Sequence, residues 1–108
     1  MDINRIIQNL KSYLSEGVDN YRFTNIDEII HMISALGGAR EYDEAIQLYQ
    51  NKENDLKNSE LYEAALTNII KVCDEMGNKD LMIEYAKELK KTLPDHPYVL
   101  EISKNHTL

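Results

Sequence analysis

Three histidines, one cysteine and three adjacent acidic pairs are the side chains of this 108-residue chain that could carry chemistry. A histidine can act as general acid or base or bind a metal, a cysteine can attack as a thiolate, and grouped carboxylates can hold a cation. Their spacing supports none of these. His31, His96 and His106 are dispersed, and none has a cysteine or carboxylate at metal-ligand spacing. Asp27 and His31, four residues apart, read as a surface pair on one helix and not as a proton shuttle. Asp27-Glu28, Asp43-Glu44 and Asp74-Glu75 are ordinary helix-surface residues. Cys73 falls in an apolar stripe, which predicts a buried, inert side chain, and a single cysteine excludes a disulfide within the chain. Gly37-Gly38 joins two helical segments without following a strand, so it is no phosphate loop. The expectation is a protein that is not an enzyme, with no metal and no cofactor.

Composition points the same way. Hydrophobic residues make up 43% and charged residues 29%, which fits a folded domain and neither a disordered nor a membrane chain. The length suits one domain. The net charge of −7 disfavours nucleic acid, whose affinity comes from cations neutralising phosphates, and disfavours an anionic membrane surface for the same reason. A basic or neutral protein surface is the better partner. The segment MDINRIIQNL lacks the charge and apolar pattern of a signal peptide, and Asn105-His106-Thr107 then reads as a chance match to a glycosylation sequon. A cytoplasmic location is expected.

The elements that would position these residues are all helical. Ile3, Ile6, Ile7, Leu10, Tyr13 and Leu14 recur at three- and four-residue steps, predicting a first helix from Ile3 to about Ser15 with Asp2 as its cap. Val18, Tyr21 and Phe23 would pin the following loop to the core. A second helix opens near Ile26, where Asn25 and Glu28 have capping-box spacing. Its apolar residues nearly encircle it, so it should pack on more than one side. Gly37-Gly38 is expected to stop or bend it. A third helix starts around Arg40 to Tyr42. The polar run from Gln50 to Ser59 is either an extension of that helix or a loosened turn. A fourth helix is predicted from about Glu60 to Met76 with Ser59 as cap, a fifth from Lys79 to Thr92, and a short last one from Tyr98 to Ser103. The final residues KNHTL are expected to fray. Among the tyrosines, the spacing of Tyr13, Tyr42, Tyr49 and Tyr85 suggests packing between helices, while Tyr21, Tyr62 and Tyr98 are freer to meet a partner.

The chain also repeats itself. Shifted by 37 positions, Ile29, Met32, Ile33, Leu36, Tyr42, Ala45 and Tyr49 become Leu66, Ile69, Ile70, Cys73, Lys79, Met82 and Ala86. In the second helix of each copy a small and a large residue change places, Ala45 and Tyr49 against Met82 and Ala86, which conserves volume at a packed interface. Gly77 and Pro94, 17 residues apart, frame the second copy.

These residues resemble the tetratricopeptide repeat family over about residues 26 to 97. Gly77 and Pro94 stand at the family's glycine-to-proline separation, and Tyr42, Ala45 and Tyr49 match its aromatic–alanine–aromatic signature. Arg40 replaces the turn glycine of the first copy, Lys57 stands where its proline would fall, and the period exceeds the family's ~34 residues. The resemblance implies an all-α fold, a short right-handed array of five to six helices in antiparallel hairpins. Residues 1–25 would be a capping helix and loop, 26–62 the first repeat, 63–96 the second, and 97–108 a short capping helix with its tail.

It also implies a protein-binding function. Such modules hold a peptide or amphipathic helix of another protein on the faces of the first helix of each hairpin. By register these positions are Asp27, Ile30, Ser34, Thr67, Lys71 and Asp74. Of the Lys and Asn residues with which some family members grip a carboxylate terminus, only Lys71 is present, so that specialised clamp is not expected. The expected role is an adaptor, scaffold or chaperone-type binder. The alternatives are an accessory subunit of a larger complex and, against the charge, an RNA-binding helical repeat.

Overall fold

A computed structural model describes residues 3–108, with the side chain of Ile3 left out; the expected cap at Asp2 and the inward role of Ile3 lie outside the described residues. The described residues fold into seven helices and no strands: α1 (Ile3–Glu16), α2 (Ile26–Gly38), α3 (Tyr42–Asn51), α4 (Glu53–Lys57), α5 (Tyr62–Met76), α6 (Lys79–Thr92) and α7 (Pro97–Ser103). The helical period thus dictates an all-α fold, as the sequence predicts.

Short connections make hairpins. α2 and α3 pack on each other across three residues, and α5 and α6 across two, so each pair runs antiparallel. α5 lies at the centre, against α2, α3, α4 and α6, while α1 packs on α2 and α7 on α6. Tyr13, Ile33, Leu36, Ala45, Leu48, Tyr49, Leu66, Ile69, Cys73, Ala86 and Leu89 form one continuous core with their neighbours. The exchanged residues Ala45, Tyr49, Met82 and Ala86 are all buried. Tyr49 on α3 meets Tyr85 on α6 edge to face, with ring centres 4.9 Å apart. Val18, Tyr21 and Phe23 pack against the core as the loop anchors they were expected to be.

Both hairpin turns use one backbone device. At the end of α2, Arg40 N–H donates to Gly37 O and Glu41 N–H to Leu36 O. At the end of α5, Gly77 N–H donates to Asp74 O and Asn78 N–H to Cys73 O. These are the paired bonds of a Schellman motif, repeated at a shift of 37 residues. The motif needs a left-handed residue, and Arg40 (φ 62°) adopts that conformation as Gly77 (φ 79°) does. The start of α2 is capped as well. Asn25 accepts from Glu28 N–H at 3.0 Å, while Glu28 reaches back one residue further than a capping box requires, to Thr24 N–H at 2.7 Å.

α2 ends at Gly38, where the glycine pair is expected to stop or bend it, and three other expectations need correction. Gly37 is there for packing, since a Cβ on it would lie 2.9 Å from Val72 Cγ2 of α5. The polar run after α3 is helical beyond a break at Lys52, because Leu56 on α4 is wholly buried; this brings the helices to seven among the described residues, not five to six. Ser59 does not cap α5, which begins at Tyr62; its hydroxyl donates to Leu56 O and accepts from Leu61 N–H, closing the turn. The tail is held, with Leu108 packed against the core and its carbonyl accepting from Lys90 Nζ at 3.0 Å.

Candidate functional site

The α5–α6 turn and the placement of α7 leave a cleft of about 790 Å³ between α5, the start of α6, α7 and the residues after it. Its apolar lining comes from Ile70, Met82 and Ile102, side chains of three different helices. These are at the edge of the core, each nearly but not fully covered. Tyr98 stands over the cleft, partly exposed and edge-on to His96, with ring centres 5.2 Å apart. The position of Tyr98 follows from the start of α7, where Pro97 occupies the first turn and His96 Nδ1 accepts from Tyr98 N–H at 3.0 Å.

Charge surrounds this apolar lining. Lys71, Lys79, Asp74, Glu75 and Glu101 line the cleft together with Asn105 and His106. The carboxylates therefore outnumber the lysines. Glu101 also pairs with Lys104 at 3.1 Å on the exposed surface of α7. An apolar slot with a mixed polar rim suits an amphipathic or extended segment, with area buried in the slot and orientation set by the rim.

Two of the six positions assigned by register, Lys71 and Asp74, come together in this cleft. The others do not join them. Asp27 is exposed on α2 and pairs with His31 at 3.7 Å, the surface pair that their spacing predicts. Ser34 is exposed elsewhere on α2, and Thr67 turns its hydroxyl to Ala64 O of its own helix at 2.9 Å. Ile30 is only 6% exposed and belongs to the core, because α2 is packed by α1, α3 and α5 and little of its apolar girth remains free. Of the three tyrosines expected to be freer, Tyr98 lines the cleft, while Tyr21 and Tyr62 pack against the core. Sequence reasoning did not place Lys79, Met82, Ile102 or Glu101 in a site. The signal for them was Pro94, just past α6, and Pro97, the first residue of α7, which mark where the chain turns.

A second, smaller cleft of about 390 Å³ lies beside the α1–α2 loop, lined by Asp19, Tyr21, Arg22, Phe23, Lys52 and Asp55 among others. Cys73 is fully buried, and burial pushes its thiol up to about 11, which keeps it protonated and unreactive. Among the described residues no three of His, Cys, Asp and Glu gather in a metal-binding group, and no helix is long and apolar enough to cross a membrane.

No protein-family model, no curated protein and no solved structure matches the chain.

Proposed function

We propose that this chain is a non-enzymatic protein-interaction module, a short right-handed tetratricopeptide-like stack that holds a peptide or amphipathic helix of a partner protein. The observation that carries the proposal is the cleft between α5, α6 and α7, with its apolar lining at Ile70, Met82 and Ile102 and its rim at Lys71, Asp74, Lys79 and Glu101. The repeat-like part of the reading is supported by the Schellman turns 37 residues apart and by the way α5 packs against both helices of the preceding hairpin. The excess of carboxylates on the rim, in a chain of net charge −7, favours a segment with apolar anchors and flanking cations.

Site-specific photo-crosslinking in the cell of origin tests this. A benzophenone side chain in place of Tyr98 should trap a discrete partner, and Met82→Arg, which puts a bulky cation into the apolar slot, should abolish trapping. The same probe at Glu60, remote from the cleft, should trap nothing. Equal trapping from both positions, or none from Tyr98, would sink the proposal.

A further inference from the structure

The start of α7 is held by an imidazole. Pro97, its first residue, has no N–H to satisfy, and the first helical bond runs from Leu100 N–H to His96 O. That leaves the amides of Tyr98 and Val99 to be satisfied at this end of the helix. His96 takes the first of them, its Nδ1 accepting from Tyr98 N–H at 3.0 Å. A backbone amide can only donate, so this ring nitrogen carries a lone pair and the imidazole is neutral, with its one proton on Nε2. Asn25 and Asn78 cap α2 and α6 through amide oxygens, which do not titrate. Among the caps of the described residues, His96 is the one that can take up a proton near neutrality.

We propose that this cap makes the α7 wall of the cleft a pH switch, docked while His96 is neutral and loosened once it is protonated. Protonation turns Nδ1 into a donor that faces another donor. It also sets a cation at the positive end of a helix, where cations are disfavoured. α7 has little to set against that loss. It is seven residues long, buries only Val99 and Ile102, and packs chiefly on α6.

The surrounding charges do not replace the cap. Asp95 precedes His96 in the chain, yet the ion pairs of the described residues include His31 and not His96. The last turn of α6 carries Lys90 and Lys91, engaged by Leu108 O at 3.0 Å and by Glu88 at 3.1 Å, and these cations offer a protonated ring no counter-charge. Glu101 of α7 is paired with Lys104. Lys71, Asp74 and Glu75 of α5, Lys79 of α6 and His106 line the cleft, whereas His96 lies outside it, among Thr92, Leu93, Pro94 and Asp95.

Tyr98, Glu101 and Ile102 line the cleft from α7, so that wall moves with the helix. Acidification through the histidine range, from about pH 8 to 5, therefore loosens the cleft and weakens its hold on a partner. This consequence rests on the proposed partner site, and the switch itself does not.

Amide hydrogen exchange of the free 108-residue chain is the test, read as protection factors so that the intrinsic pH dependence of exchange cancels. Between about pH 7.5 and about pH 5, protection of the amides from Leu100 to Ser103 should fall about five- to tenfold, the usual worth of a helix cap together with the charge at its end. The α5 amides should keep theirs. His96→Asn, which retains a capping oxygen that does not titrate, should hold α7 protected at both pH values, and His96→Ala should leave it poorly protected at both. His106→Asn should keep the wild-type response, which separates the cap from the other histidine near the cleft. No partner is present, so failure of trapping at Tyr98 and failure of the switch are separate results. An unchanged wild-type profile, an equal fall in His96→Asn, or α7 amides without protection at about pH 7.5 would each overturn the proposal.

Discussion

Arg40 holds a left-handed backbone conformation (φ 62°) that glycine adopts freely and an L side chain adopts at a cost of about 1–2 kcal/mol. It persists because the turn between α2 and α3 needs it, as Gly77 meets the same need 37 residues later. Arg40→Gly should therefore stabilise the fold by about 0.5–1 kcal/mol, the relieved strain less the extra freedom of glycine in the unfolded chain. Gly77→Ala should do the reverse by about 1 kcal/mol or more, and urea denaturation measures both. Tyr13 is a second site of tension, since its ring packs against Tyr21 and Phe23 while its buried hydroxyl has no partner among the described residues. Removing only that oxygen, Tyr13→Phe, should raise stability by about 1 kcal/mol, whereas Tyr13→Ala should cost about 3–5 kcal/mol. A loss on Tyr13→Phe would mean that the hydroxyl is bonded in solution.

At the level of elements, the crossing of α2 over α5 depends on one missing side chain. Gly37 and Gly38 are both helical, so alanine at either gains up to about 1 kcal/mol of helix propensity. Only at Gly37 does the new methyl group meet Val72, at 2.9 Å, and overpacking of that kind costs about 1–3 kcal/mol. Gly38→Ala should thus stabilise the protein, and Gly37→Ala should be the less stable of the two by about 1–3 kcal/mol in matched urea titrations. Val72→Ala should recover part of the loss when combined with Gly37→Ala, a coupling that neighbours show and distant sites do not. This pair also marks what could be read from the sequence. The 3.6-residue period, Asn25 and Gly77 located the helices to within a few residues because those signals are local. Whether Gly37-Gly38 breaks a helix or lets another approach, whether Leu56 is buried, and whether Ile30 faces a groove all depend on the neighbouring helix. Lys71 and Asp74 were legible by register. The cleft they line was not, because it is made by α7 packing on α6 beside α5.

For the whole molecule, the buried ionisable groups all resist alkali in the same direction. Burial raises the Cys73 thiol from 9.0 to about 11 and the hydroxyls of Tyr13 and Tyr85 from 10.0 to about 12, and it pushes Tyr49 up further still. Nearby carboxylates, Glu44 and Asp19 for Tyr13, act in the same sense. The folded state therefore holds these protons more tightly than the unfolded chain does. Their contribution to stability is complete below the unfolded values, so the fold should be unaffected by these groups up to about pH 9. Above that the unfolded chain loses protons first, at Cys73 and then at the tyrosines, and stability falls up to about pH 12, where Tyr13 and Tyr85 reach their folded values, and goes on falling beyond it through Tyr49. The prediction is a progressive drop in the urea midpoint between pH 9 and 12, with tyrosinate absorbance from the buried rings emerging as helical circular dichroism is lost. Tyr13→Phe and Tyr85→Phe should each flatten that fall, because each removes one of the protons that couple the core to alkali. If the two variants instead follow the wild-type pH profile, those hydroxyls ionise with the helices intact, and the core around Tyr13 and Tyr85 is wetter than its packing indicates.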